Sequence, residues 1–575
     1  MTLNRAEHPI HAERTVRIAC IGAGVAGLCL AYKLQRSFRN IQLVVYEKNK
    51  CVGGVWFENH YPGVACDVPA HNYVYSFEPN PNFPAEYAPG SSVLQYLKDF
   101  ATKYNLHQYV RTQTKVTSAV WNDAEGKWGI ELEDLANQQI LTDTVDILIN
   151  ASGPLNRWKW PSIPGLNEFK GHLVHSANWD DGYDVSGKRI ALIGNGSSGQ
   201  QLLTALQPQA SQLLHFIRQP NWIVGPFGGE QQTYTPDQIT EWTNDPSHLL
   251  TKRKQIETVI NSTFSTFLRD SPLHQGMRQY LTQTMEATLN QHNLPTSELL
   301  PTFAPGCRRP TPGVGYLSAL SQPNTTLIVG DITRICADGL IDSTGTHHAV
   351  DAIICATGFD TTCIPSFPLI GKSNQSLADL WADDVLDSYF ATTVPHMPNY
   401  AMFAGPFFPS ISGSYLRTAE IQAEYICQLV DRYQTENIHA FSPSRAASRA
   451  FTAHCRKFLL ERTVWADACR SHYKADGDSA RLSMWPGSSL HFADALRELR
   501  AEDYDWEYVG GDRFAWLGNG LSATGADETS DLAWYLGDQD SGPLGSRGAR
   551  RRVLTKSGTF GVGEREKLLQ GRPAD

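Results

Sequence analysis

The sequence has no C-x-x-C pair, no long apolar run and no excess of positive charge, and each lack closes off a class of function. Its eleven cysteines stand singly and are odd in number. That pattern argues against a dithiol redox centre, a cysteine zinc site and a disulfide framework, so free buried thiols in a reducing compartment are expected. No stretch approaches the run of about 18 apolar residues that a membrane span needs. The opening "MTLNRAEHPIHAERT" has no apolar core of the signal-peptide kind either, so a chain without a transmembrane segment, working in the cytoplasm, is expected. Against 59 Asp+Glu stand 49 Lys+Arg, a formal charge of −10 with no basic stripe. Nucleic acid is therefore not an expected partner. A Ser-His-Asp hydrolase elbow, an H-E-x-x-H zinc motif and a Walker loop are all missing. The pair His347 and His348 reads as a solvated loop between strands, and no metal is expected.

What is present is organised around glycine. A chain of 575 residues is expected to fold as several domains. "VRIACIGAGVAGLCLAYKL" passes from an apolar strand through a glycine turn into an amphipathic helix, and "IQLVVYEKN" follows as a second strand. In this βαβ unit Gly22 permits the turn, Gly24 lets the backbone approach a pyrophosphate, and Gly27 lets helix pack on strand, with Val25 and Ala26 in the first helical turn. The helix N-terminus faces the anion. Glu47, twenty residues past Gly27, ends the second strand where a carboxylate accepts hydrogen bonds from ribose hydroxyls.

A second unit repeats the plan. "KRIALIGNGSSGQQLLTAL" runs on to "QLLHFIRQP", with Gly194, Gly196 and Gly199 at the same spacing and Ser197 and Ser198 between them. Here the second strand ends in Arg218 and Gln219 instead of an acid. A guanidinium pairs with a 2′-phosphate that a carboxylate would repel, so this loop is expected to take NADPH. FAD in the first fold and NADPH in the second is the simplest assignment, since two dinucleotides face to face permit hydride transfer. From Pro236 to Leu300 the pattern turns helical; strand signals return at "TTLIVGDITRICADGLIDSTG" and "AVDAIICATGFD", and helices dominate afterwards.

Between the two glycine loops lies "FKGHLVHSANWD", neither a convincing helix nor a convincing strand. Its Phe169, Gly171, His175, Trp179 and Asp180, in the spacing F-x-G-x-x-x-H-x-x-x-W-D, resemble the fingerprint of the Baeyer–Villiger monooxygenases, a class of flavoprotein monooxygenase. The resemblance runs over roughly residues 15 to 500. "GGVWFENHYPGVACDVP" is similar to the family's flavin-contacting segment, which implies Gly54, Val55, Trp56 and Asp67, with Tyr73 and Val116, at FAD. "ATGFD" resembles a second family signature. "CRRPTPGVGY" resembles the segment holding the family's catalytic arginine, which implies that role for Arg309, with Arg308 on the NADP phosphate and Asp67 orienting Arg309. "MWPGSSLHF" resembles fungal polyketide-pathway members of the versicolorone monooxygenase type.

The resemblance implies an FAD-dependent, NADPH-consuming enzyme. It would insert one atom of O2 beside the carbonyl of a hydrophobic, polyketide-like ketone, giving an ester or lactone in fungal secondary-metabolite (mycotoxin) biosynthesis. His175 would act on domain movement and not as acid or base. Three rivals are an oxygenase of nitrogen or sulfur, a flavin disulfide reductase, which the lack of C-x-x-C disfavours, and a non-catalytic NADPH sensor. The expected fold is α/β, two Rossmann-like dinucleotide-binding domains with a helical insertion. The expected parts are 1–165 and 363–538 for FAD, 166–228 and 323–362 for NADP, 229–322 for the insertion, and a disordered tail over 539–575. The insertion and the aromatic "PNYAMFAGPFFPSISGSY" are expected to line the substrate pocket.

Overall fold

The computed structural model describes residues 3–225, 231–382, 386–471, 473–474, 482–533 and 536. The expected disordered tail, 539–575, lies outside the described residues. Two parallel sheets form the frame, each five-stranded among the described residues. In the first, Val16–Ile21 lies between Ile41–Tyr46 and Ile147–Asn150, with Tyr400–Met402 and Val110–Arg111 at the edges. The central strand is apolar along nearly its whole length because both faces are covered: Ile18 and Cys20 pack on helices such as Val25–Ser37 and Tyr415–Thr435, and Ala19 and Ile21 on a four-stranded sheet that includes Thr114–Asn122 and Lys127–Asp134. The second sheet runs Thr325–Val329, Gln212–Ile217, Arg189–Ile193, Ala352–Cys355, His172–His175.

The edge strand His172–His175 corrects the reading of the connector as irregular. Four residues carry too little periodicity to announce a strand. Register with Ala352–Cys355, some 180 residues on, supplies the missing hydrogen bonds. His347 and His348 likewise lie on a strand, His347–Ala349, in a three-stranded antiparallel sheet, and not in a loop. His348 Nε2 is 2.7 Å from Asp342 Oδ2, and no cluster of metal-binding side chains occurs among the described residues.

The helices Pro236–Asn244, Pro246–Ser262 and Pro272–Gln291 form the region of helical periodicity. Thr235, Asp245 and Ser271 cap their N-termini through side-chain oxygens. Within the aromatic stretch expected at a pocket, Met402, Phe403 and Ala404 line a cavity with Asn150 and Asp360, and its phenylalanine side chains are buried. Phe403 and Phe408 pack beneath the first sheet and Phe407 beside Trp465, all at most 5 % exposed. Among the described residues no helix is long and apolar enough to cross a membrane.

The cysteine expectation also needs correction, because Cys307 and Cys469 are joined by a disulfide across 162 residues. Nothing in the spacing signals it, since the fold alone brings the two segments together. The nine other cysteines are free.

Candidate functional site

At the first loop, Gly22 has φ +102°, and a side chain there would meet the Ala151 carbonyl at 2.7 Å. At Gly27 a β-carbon would lie 1.9 Å from the Gly22 carbonyl oxygen. These two glycines serve the protein's own packing. Gly24 is different: its φ of −83° suits any residue, and it faces Gly54 across a slot in which a β-carbon would lie 3.4 Å from the Gly54 Cα. The helix Val25–Ser37 has no side-chain cap, which leaves first-turn N–H groups unclaimed by any side chain. Val25 and Ala26 are buried in that turn, Val55 and Trp56 open the short helix after Gly54, and Trp56 Nε1 donates to the Tyr73 hydroxyl at 3.1 Å.

Glu47 is buried, and its two oxygens accept from the Ala23 and Asn49 N–H groups, each at 2.8 Å. Burial raises its pKa, against the pull of those two N–H groups. An ionised carboxylate offers about four acceptor positions, so half remain for ribose hydroxyls. An uncapped helix start, a slot free of β-carbons and a carboxylate beside it fit a dinucleotide. Val116, the remaining residue expected at FAD, lies on the strand Thr114–Asn122 with its side chain buried in the core.

The second loop fits a dinucleotide more openly. Gly194 (φ +119°) and Gly199 are again required by packing, with β-carbons that would fall 2.3 and 2.1 Å from carbonyl oxygens. Gly196 has φ −91°, and a β-carbon there meets nothing within 4 Å. Neither strain nor packing demands a glycine at that position. The backbone there is open to a molecule approaching from outside the chain, and the helix Ser197–Leu206 behind it is also uncapped. Arg308 reaches this loop, donating to the Asn195 carbonyl at 2.8 Å. Burial and the nearby Arg218 lower its pKa to about 10. Neither arginine forms an ion pair among the described residues. Two cations crowd one spot without an acid, as a phosphate site requires.

The two cradles meet at Asp67. Arg309 donates from Nε and Nη2 to both oxygens of Asp67 at 2.8 Å, a bidentate pair with side chains 30 % and 25 % exposed. Asp67 raises the Arg309 pKa above its ordinary value, so the guanidinium is charged at every working pH. Ser197, at the start of the second helix, donates from Oγ to the same carboxylate at 3.2 Å. The Tyr61 hydroxyl lies 3.0 Å from Ser198 Oγ and 2.7 Å from Gln201 Oε1, which docks the segment before Asp67 on that helix. Gln219 accepts the Arg470 N–H at 3.3 Å. Asn195, Tyr61 and Gln201 join this seam without any motif having marked them.

The fingerprint residues sit at the crossing between the two folds. A β-carbon at Gly171 would strike the Phe169 ring and the Asp351 carbonyl at 2.5 and 2.6 Å. His175 is fully buried and stacks on Trp158 at 4.8 Å; Nδ1 accepts from Ala177 N and Nε2 meets Thr357 Oγ1 at 3.3 Å. Trp158 belongs to the outgoing connection and Thr357 to the returning one, and the two pair at Trp158 and Phe359 and through the Arg157–Asp360 ion pair. Burial lowers the His175 pKa to about 4, so it is neutral at neutral pH. Trp179 packs on the second core, and Asp180 accepts from Gly182 N at 3.0 Å.

A model of flavin-binding monooxygenase-like proteins matches residues 15–244. Over 548 residues the chain is 38 % identical to the FAD-binding monooxygenase tazF of Aspergillus terreus, covering 92 % of this chain and 96 % of that one. A Baeyer-Villiger monooxygenase of Streptomyces coelicolor is 30 % identical over 510 residues, 87 % of this chain and 94 % of that one. The fold superposes on cyclohexanone monooxygenase from Rhodococcus sp. Phi1 bound to NADP+ with a TM-score of 0.73 at 23 % identity, covering 87 % of this chain and all of that one.

Proposed function

Since the chain belongs to the flavin-binding monooxygenase family, we propose that it is a Baeyer–Villiger enzyme. It takes FAD at the Gly22–Gly27 loop and NADPH at the Gly194–Gly199 loop. It inserts one atom of dioxygen beside the carbonyl of a hydrophobic, polyketide-like ketone and releases an ester or lactone within fungal secondary metabolism. The observation that carries this reading is the Arg309–Asp67 pair standing where the two cradles meet, with Ser197 bound to the same carboxylate.

Bound FAD would supply the chemistry of hydride acceptance from NADPH and of oxygen activation. The chain's own part is electrostatic. Arg309 holds a permanent positive charge and free N–H donors at the seam, stabilising negative charge that develops on oxygen. Asp67 fixes the plane of the guanidinium and keeps the cation from being buried alone, which would cost several kcal/mol. Arg308 and Arg218 hold the 2′-phosphate, and Glu47 the ribose of FAD. His175, neutral and stacked, ties the two connections together and moves no proton.

The test is purified protein with NADPH, ¹⁸O2 and a panel of cyclic and aryl ketones, sulfides and amines, with products read by mass spectrometry. One ¹⁸O in an ester or lactone supports the reading. Label only in sulfoxides or N-oxides gives the site to heteroatom oxygenation, and NADPH binding without oxygen uptake on any compound would make the protein a sensor.

A further inference from the structure

Four bonds close a ring beside the second glycine loop. Arg308 donates from Nη2 to the Asn195 carbonyl at 2.8 Å, Asn195 donates from Nδ2 to the Gln219 carbonyl at 3.5 Å, and Gln219 Oε1 accepts the Arg470 N–H at 3.3 Å. The fourth bond is covalent. Cys307 and Cys469, each one residue before an arginine of the ring, are joined by the disulfide with their Cα atoms 6.3 Å apart. The Ala304 N–H, donated to Asp467 Oδ2 at 2.8 Å, fastens the same two segments a second time. Arg470 is thereby brought to the end of the strand Gln212–Ile217, beside Arg218 and Gln219, across a sequence separation of 251 from Gln219. Its main chain is fixed there, yet its side chain is not. The guanidinium is exposed and has no hydrogen bond or ion pair among the described residues, and Asp467, three residues before it, accepts the Ala304 N–H instead.

Resting on the reading of this loop as the NADPH cradle, we infer that Arg470 is the third cation of the 2′-phosphate site, with Arg218 and Arg308, and a determinant of the choice of NADPH over NADH. The strand end beside the ring is where a dinucleotide fold presents its ribose hydroxyls, so a charge delivered there meets the 2′-position and not the pyrophosphate at the helix start. A phosphate monoester carries a charge of about −1.5 to −2 and three acceptor oxygens, enough to engage three guanidiniums. Without the anion three like charges repel one another. The disulfide and the Ala304–Asp467 bond hold Arg470 in place against that repulsion.

The test is calorimetric titration of the FAD-loaded protein with NADP+ and with NAD+, which needs no substrate. In Arg470→Ala the dissociation constant for NADP+ should rise about tenfold, as for the loss of one solvent-exposed bond to a charged group. NAD+ binding, FAD content and melting temperature should stay at the parent's values. Arg470→Lys should fall between parent and alanine, since an ammonium keeps the charge without the fork. Gln219→Ala removes the acceptor of the Arg470 N–H and no charge; it should weaken NADP+ alone, and add little in the Arg470→Ala background, because both act through one contact. Parental NADP+ affinity in Arg470→Ala would overturn the inference, and so would an equal loss with both dinucleotides, which would put the arginine on the pyrophosphate they share. If the parent itself binds NADP+ no more tightly than NAD+, the assignment of NADPH to this loop fails and the inference with it; a parent that prefers NADP+ while Arg470→Ala is unchanged refutes the inference alone.

Discussion

Replacing Asp67 by Asn changes one charge and almost no volume, and it tests the centre of the argument. The carboxylate accepts two N–H groups of Arg309 at 2.8 Å and the Ser197 hydroxyl at 3.2 Å. Asparagine keeps one acceptor and turns an amide N–H2 toward either the guanidinium or the serine, so one half of the fork becomes repulsive. Hydrogen bonds to charged groups contribute about 1.5–3 kcal/mol. Water reaches both side chains, which are 30 % and 25 % exposed, so the lower part of that range applies. If the loss falls on the transition state, about 1.4–2 kcal/mol corresponds to a ten- to thirtyfold fall in rate. The expected pattern is a drop of that size in kcat and kcat/KM for the ketone together, as for an interaction realised in the transition state. Peroxide release should rise, and FAD content stay the same. The assay is NADPH oxidation with product and peroxide quantified in parallel. Turnover within twofold of the parent, with intact coupling, would mean that Arg309 takes its orientation from elsewhere.

Gly196→Ala should leave stability unchanged or slightly raised, since its φ is ordinary and its β-carbon meets nothing; KM for NADPH should nevertheless climb about tenfold, whereas Gly199→Ala, 2.1 Å from a carbonyl oxygen, should fail a thermal-melt comparison. Arg218→Ala and Arg308→Ala should each cut the preference for NADPH over NADH about tenfold, read from the two kcat/KM values; equal loss with both coenzymes would refute the phosphate assignment. The fully buried His175 has its pKa lowered from 6.5 to about 4, so below pH 6.5 the unfolded chain takes up the proton first. Stability present above that pH is then lost as pH falls toward 4, by up to about 3 kcal/mol. His175→Gln should flatten a denaturation-versus-pH curve over that window, only in part because His71 and His215 are shifted the same way.

The legible features were those whose cause is local. A glycine turn between strand and helix is written in six residues, and the exchange of Glu47 for Arg218 at the end of the next strand is a single position in register. Features created by distant pairing were not legible. His172–His175 is a strand only because Ala352–Cys355 comes to lie beside it, and Cys307 looked like any buried thiol until the fold placed Cys469 against it. The aromatic run after Pro398 is ambiguous in sequence for the opposite reason. Large apolar side chains serve a core and a pocket equally well, and only burial separates the two uses; Phe407 is 1 % exposed.

The site itself is of the second kind. Asp67 comes from the loops of the first fold, Arg309 from the far side of the helical region 242 residues later, and Ser197 from the second fold. No one of these segments contains the proposed catalytic arrangement; it exists only where the two folds dock. The docking is held by groups outside that trio: Tyr61 on the Ser197–Leu206 helix, and His175 between the outgoing and returning connections. Changes at the seam should therefore separate cofactor binding from coupling. A variant such as Tyr61→Phe should load FAD normally and bind NADPH through the intact Gly194–Gly199 loop. It should also release more of its reducing equivalents as peroxide, because each cradle survives on its own while the alignment between them does not.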